Sequence, residues 1–180
     1  MERINVFSKH KKHEEFSWDM LGNIKEGRGD LSEEMPVLVY RLMQYTMLDV
    51  LSRAHSPEQA NEYFRQAGFM AGTAFATNTL DLTLEFNKFT VSLQKALLDM
   101  KIGILRMEDF NAENGNIVLT VGQDLDCSGL PITDETVCVY DEGFIAGILE
   151  AYTGKKYNVR EVDCWASGDR VCRFSGTVSV

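Results

Sequence analysis

The sequence predicts an α+β domain in which an antiparallel sheet is packed with about four helices. Three observations carry that expectation. Apolar residues recur at helical spacing through the first half of the chain, two hairpin patterns occupy the second half, and one late helical stretch separates those hairpins. The 180 residues are expected to form one domain over 1–180, with 1–35 as an N-terminal extension or hairpin.

The first thirty-five residues are polar and glycine-spotted, and the apolar stretch around Phe16, Trp18, Met20 and Leu21 reads as a strand or hairpin. From Pro36, Val37, Leu38, Leu42, Met43, Met47 and Leu51 fit one long helix ending near His55, with Asp30 and Ser32 upstream as candidate caps. Ser56-Pro57-Glu58-Gln59 reads as a cap, a proline at the first helical position and an acidic first turn, opening a second helix that runs to about Thr77. A third spans Asn87 to Lys101, where Phe89, Leu93, Ala96, Leu97 and Met100 form a stripe. Two strands, Ile104 to Phe110 and Ile117 to Val121, flank a loop ending Asn114-Gly115, which suits positive φ. A fourth helix covers about Val137 to Thr153. The chain closes with a second hairpin, Tyr157 to Trp165 and Val171 to Val180, around Ser167-Gly168-Asp169. Gly68/Gly72 and Gly143/Gly147 give the second and fourth helices small-residue strips that permit close approach; interior glycine costs about 1 kcal/mol each, and tight packing is the usual compensation.

Lys and Arg total 18 against 27 Asp and Glu, and the resulting charge of -9 works against extended contact with nucleic-acid phosphates or anionic lipid. No apolar run approaches the ~20 residues of a membrane-spanning helix, and the charged N-terminus has no signal-peptide core. A cytoplasmic protein without nucleic-acid or membrane partners is therefore expected. In that compartment thiols serve metal, catalysis or burial.

All four cysteines fall in the last third. Cys138, Glu161, Cys164 and Cys172 give the spacing C-x22-E-x2-C-x7-C. A three-residue loop at Ser167-Gly168-Asp169 would set residue 164 across from residue 172, close enough for both sulfurs to reach one metal. Glu161 lies an odd offset from Cys164, so its convergence needs a bulge between them. Cys138 would sit in the first turn of the fourth helix, where the dipole favours thiolate. Arg160, Arg170 and Arg173 are candidates to balance the charge of such a site. Spacing alone admits a metal, free buried thiols or a 164–172 disulfide. Cys127, in Asp126-Cys127-Ser128-Gly129, reads as a bystander.

The stretch Cys138-Val139-Tyr140-Asp141-Glu142-Gly143-Phe144-Ile145-Ala146-Gly147, followed by Glu161-Val162-Asp163-Cys164-Trp165-Ala166-Ser167-Gly168-Asp169-Arg170-Val171-Cys172-Arg173-Phe174, resembles the signature of the 4-vinyl reductase domain family. That family contains predicted small-molecule and hydrocarbon-binding proteins, and aromatic-effector sensor domains of bacterial transcription activators belong to the same group. The resemblance implies structural Zn²⁺ on Cys138, Glu161, Cys164 and Cys172. It also implies a fold like nitric-oxide-signalling and Golgi-transport ligand-binding domains, commonly a homodimer, with a cavity between helices and sheet. No ATPase or DNA-binding segment follows the signature, so no output domain is expected.

The remaining candidates are weaker. His10 and His13 lie in the charged N-terminus, and His55 closes a helix, which argues against catalytic or haem-ligating roles. Asp141-Glu142 would diverge in a first helical turn and serve the dipole. Phosphate loops, dinucleotide fingerprints and nucleophile elbows do not appear, so the sequence points away from an enzyme. The methionines and phenylalanines of the first three helices are ordinary core or a pocket lining. With the resemblance, Phe69, Met70, Phe75, Phe86 and Phe89 are expected to line a pocket for a small apolar ligand beneath the glycine strips. The functional expectation is a zinc-containing, regulatory ligand-binding or sensor domain. A reductase or accessory subunit acting on a tetrapyrrole vinyl group, and a scaffold subunit acting through its surface, are the alternatives.

Overall fold

The computed structural model describes residues 15–111 and 113–179. His10 and His13 therefore lie outside the described residues. The chain divides into two compact units, one ending at Glu34 and one beginning at Met35.

In the first unit, the strand or hairpin expected around Phe16 to Leu21 is replaced by helical turns: a 3-10 turn at Trp18–Leu21, then α1 at Ile24–Gly27. The apolar residues alternate as in a strand, but local capping decides the outcome, because Asn23 Oδ1 accepts the Glu26 N–H at 3.2 Å.

The second unit carries α2 (Val37–Ala54), α3 (Pro57–Thr79), α4 (Phe86–Asp99), β1 (Ile104–Phe110), β2 (Ile117–Gly122), α5 (Val139–Thr153), β3 (Tyr157–Asp163) and β4 (Cys172–Val178). The start of α3 follows the sequence reading: Ser56 Oγ accepts the Gln59 N–H at 3.2 Å, with proline at the helix start. Neither Asp30 nor Ser32 caps α2, which begins directly after Pro36; Ser32 Oγ instead accepts the Glu34 N–H. His55 closes α2 and meets the Tyr63 ring edge-on.

The four strands are ordered β1-β2-β4-β3 and every pairing is antiparallel. Gly115 has φ 76°, the conformation the Asn-Gly loop called for. One sheet face is buried, with Leu105, Ile117, Leu119, Val159 and Phe174 packing against Phe89, Leu93 and Leu97 of α4 and Ile145, Ile148 and Leu149 of α5. The helix α5 is apolar nearly all round because it is covered on two sides, by the sheet and by α3.

The α3–α5 contact is made by the two glycine strips. A Cβ on Gly68 would stand 2.0 Å from the Tyr140 carbonyl oxygen, and one on Gly72 2.0 Å from that of Phe144. Reciprocally, Gly143 and Gly147 face the carbonyls of Arg65 and Phe69 at 1.9 and 2.3 Å from such a Cβ. Beside them, Glu142 ties three elements together. Its Oε2 accepts from Arg65 Nε, Arg65 Nη2 and Arg160 Nη1 at 2.8–2.9 Å, and its Oε1 accepts the Glu161 N–H at 2.9 Å.

Candidate metal centre and enclosed cavity

Four segments bring one cysteine each to a common point. Cys127 comes from the loop after β2, Cys138 is the N-cap of α5, Cys164 follows β3 and Cys172 opens β4. All four are buried and unpaired, and their sulfurs lie within 4.8 Å of one another. Four buried cysteines this close could bind a metal.

The second hairpin behaves as its spacing required. Asp163 pairs with Arg173, the register step beside Cys164 and Cys172, and a bulge falls between Glu161 and Asp163. That bulge turns Glu161 toward α5, where its Oε2 accepts the Cys138 N–H at 2.9 Å. Its Oε1 is buried with no hydrogen-bond partner among the described residues.

Cys127 is the residue the sequence reading set aside. The loop folds inward because Asp124 Oδ1 accepts the N–H groups of Asp126 and Cys127 at 2.8 and 3.3 Å. Arg41 of α2 clamps the same loop, donating from Nε to the Leu125 carbonyl at 2.7 Å and from Nη2 to that of Ser128 at 3.0 Å. Nothing in the local sequence announces a contact spanning more than eighty residues. An acidic residue three positions before a buried-type cysteine was the available signal.

Among the sulfurs, Cys138 stands 3.9 Å from Cys164 and 3.8 Å from Cys172, while Cys127 stands 3.1 Å from Cys172. All three separations are too long for an S–S bond. Hydrogen bonds among the thiols, Cys127's first, push Cys164 below the usual thiol range and Cys138 and Cys172 above it. Without a cation the cluster favours one thiolate held by neutral thiols. Two arginines considered as charge balance are engaged elsewhere: Arg160 with Glu142, Arg173 with Glu108 and Asp163.

Carboxyl groups surround the cluster. Burial pushes Glu161 up to about 8. Burial, reinforced by the charge of Asp126, pushes Asp124 up to about 6, and burial drives Asp141 well above the usual carboxylate range. Asp141 and Glu142 diverge as expected, yet both are buried. Glu142 turns to the arginines, whereas Asp141 turns to a cavity.

That cavity lies between α4, α5 and the inner face of the sheet and measures about 40 Å³. Its wall is apolar except for Thr90, Asp124 and Asp141. Of the five residues expected to line a pocket, Phe86 and Phe89 are part of this wall. Phe75 is buried against the Phe144 ring at 5.4 Å, Phe69 is half-buried and Met70 is 47% exposed; none of the three lines it. The reason is the glycine contact: it brings the α3 backbone onto the far side of α5, so α4 takes the place beside the cavity. A shallower groove of about 330 Å³ runs between α2 and α3, lined by residues including Tyr40, Met43, Met47 and Phe64.

Comparison with known proteins places this geometry. Residues 117–178, which run from the first residue of β2 to the last of β4, match the family model of the 4-vinyl reductase domain. This segment is a 4-vinyl reductase domain. The resemblance of the signature is thereby shown for the segment, and the domain holds all four cysteines, Glu161, Asp124 and Asp141.

The chain spans about half the length of the curated relatives it matches. One of them, the uncharacterized protein MJ1642 of Methanocaldococcus jannaschii, is 30% identical over 95 residues, 53% of this chain and 56% of that one. Three solved structures are similar in fold. A vinyl-4-reductase family protein from Methanocaldococcus jannaschii has a TM-score of 0.60 at 17% identity, covering 90% of this chain and 94% of that one. The phenol-responsive sensory domain of the transcription activator PoxR, solved with phenol, has 0.61 at 18%, covering 80% and 75%. A trafficking protein particle complex subunit 3 from Naegleria fowleri, covalently bound to palmitic acid, has 0.58 at 12%, covering 81% and 98%. The α+β fold shared with the Golgi-transport family is thus the one the sequence predicted.

Proposed function

We propose that this chain is a ligand-sensing domain that takes a small, largely apolar molecule between α4, α5 and the sheet, with Zn²⁺ held structurally at the cysteine cluster. The observation that carries the reading is the apolar cavity enclosed by α4 and the elements of the 4-vinyl reductase domain. The likeness in fold to a phenol-responsive sensory domain supports it. At about 40 Å³ the cavity has room for a few water molecules but is smaller than the ~150 Å³ that takes benzene, so a ring would enter by displacing wall side chains such as Met107 and Phe144.

The donor set favours zinc. Zn–S bonds of about 2.3 Å in a tetrahedron require S···S edges of about 3.8 Å, which the Cys138–Cys164 and Cys138–Cys172 separations match. In this reading Cys138, Cys164 and Cys172 are ligands, Cys127 completes the set, and Glu161 supports it through the Cys138 N–H. Glu161 as fourth ligand, with Cys127 beside the site, is the arrangement the family resemblance implies. A metal with four protein ligands offers no open position to water or substrate, so its role would be structural. Thiols in this state belong in a reducing, cytoplasmic setting.

A second copy of the chain is the proposed partner. Leu38, Leu42, Met43 and Met47 of α2 are between 53% and 74% exposed, an apolar face that a homodimer would cover. The same face supports the second reading, a scaffold subunit, toward which the fold of the trafficking subunit also inclines.

Native mass spectrometry of the purified protein tests the proposal as a whole. One zinc per chain, a dimer and a retained or added apolar ligand are expected. Glu161→Gln should keep its zinc and Cys127→Ser should lose it; the reverse result would assign the fourth position to Glu161. Metal below a tenth of an equivalent in protein purified without chelator would overturn the zinc assignment. Failure of every apolar ligand to bind would favour the scaffold.

A further inference from the structure

Three polar side chains interrupt the apolar wall of the cavity: Thr90 from α4, Asp141 from α5, and Asp124 from the loop after β2. They are 8%, 9% and 3% exposed. Thr90 Oγ1 and Asp141 Oδ2 are buried to the last square ångström and have no hydrogen-bond partner among the described residues. Native proteins rarely leave such atoms unpaired, and two orphans on one small cavity call for an explanation. Asp124 is held in place by the N–H groups of Asp126 and Cys127 on Oδ1. Carboxylate oxygens of Asp124 and Asp141 lie within 4.8 Å of each other and of Cys138 Sγ.

The charge at this end of the cavity has one sign. Among the described residues no ion pair reaches Asp124 or Asp141. Arg41 gives its N–H groups to the carbonyls of Leu125, Asp124 and Ser128 and not to a carboxyl group. Acceptors therefore outnumber donors where the apolar wall ends.

Resting on the ligand-binding reading above, we propose that the cavity selects its ligand by a hydrogen-bond-donating head: an apolar body lies against α4 and the sheet, and an O–H or N–H group meets Asp141 and Asp124. A protonated amine matches the site in charge as well as in hydrogen bonding, and a hydroxyl matches it in hydrogen bonding alone. A plain hydrocarbon leaves the orphan acceptors unpaired. A carboxylate head meets like charge. Sites built to hydrogen-bond a head group discriminate strongly against analogues that lack it, whereas apolar contacts discriminate weakly.

Isothermal titration of the full chain with benzylamine, benzyl alcohol, toluene and benzoate tests this, since the four share a ring and differ in the head. Benzylamine and benzyl alcohol should bind at least tenfold more tightly than toluene, and benzoate should not bind. Asp141→Asn keeps the shape and removes the charge, so the amine should lose at least tenfold while toluene is unchanged. If that variant does not fold, the series on the parent protein decides alone. Toluene binding as tightly as the two donors would overturn this proposal and leave the ligand-binding reading standing. Benzoate binding as well as benzylamine would also overturn it. Binding of none of the four would remove the ligand-binding reading and this proposal together.

Discussion

Gly72→Ala is the sharpest perturbation the fold offers. The added methyl would lie 2.0 Å from the Phe144 carbonyl oxygen, 2.8 Å from its carbon and 2.9 Å from its Cα, where ordinary contact begins at 3.4 Å. The obstacle is mid-helix backbone, so no rotamer change relieves it, and α5 cannot retreat because the sheet lies behind it. The two helices would have to part by more than 1 Å, which also loosens the three other glycine contacts in the same seam. Alanine returns about 1 kcal/mol of helix propensity. Overpacking costs about 1–3 kcal/mol where side chains can shift, and more where backbone must. The expected net loss is about 3 kcal/mol. For a chain of this size that lowers Tm by about 6–12 °C. Thermal unfolding followed by circular dichroism reads it, with Gly27→Ala as the control, since a Cβ there meets nothing within 4 Å. A Gly72→Ala protein melting at or above the parent would refute the close-packed seam.

Glu142→Gln should destabilise by about 2 kcal/mol, because three charge-assisted hydrogen bonds from Arg65 and Arg160 lose their anion; denaturant unfolding with an unchanged midpoint would count against it. Arg41→Met removes the clamp on the Cys127 loop, and zinc affinity should fall about 10–100-fold, read by competition with a chromogenic chelator; unchanged affinity would mean the loop holds Cys127 unaided. Burial pushes the Tyr40 hydroxyl well above the usual phenol range and that of Tyr140 up to about 12, with the Asp126 charge adding to both. Raised folded-state values make the tyrosine contribution complete below about pH 10 and lost as pH rises through 12. Tyrosinate absorbance near 295 nm should thus lag a model compound and rise with unfolding. Complete ionisation at pH 11 with an intact circular dichroism spectrum would contradict the burial.

Much of the fold was legible because its signals are local. Ser56-Pro57 starts α3 by capping, the Phe89-Leu93-Leu97 stripe marks the buried side of α4, and Gly115 supplies the positive φ of the first hairpin. The glycine strips were legible as a seam because two helices carried the same i,i+4 spacing. Three of the four clustered cysteines were legible for a comparable reason: hairpin register relates Cys164 to Cys172, and a helix start presents Cys138. Cys127 was not, since its place depends on the Asp124 turn and on Arg41 from another helix. The pocket was located between the wrong helices because apolar content says which residues avoid water, not which of two apolar faces meets the sheet. In the N-terminal unit, apolar alternation and a capping asparagine gave opposite signals over a few residues, and the cap prevailed.

The cysteine cluster and the cavity are two ends of one construction. Cys138 caps the helix whose next turn carries Asp141 into the cavity, and Asp124 faces the cavity while its Oδ1 holds the Cys127 N–H and lies 3.9 Å from Cys138 Sγ. A metal at the cluster would join the loop after β2, the start of α5 and both strands of the second hairpin, so it would fix three of the walls against which a ligand packs. Behind α5, the glycine seam and Glu142 fix the remaining degree of freedom, its distance from α3. The helix that supplies the polar end of the cavity is therefore the most constrained element in the unit. A rigid α5 makes discrimination by a single buried carboxyl physically reasonable, because a polar group selects among ligands only when it cannot move to suit them.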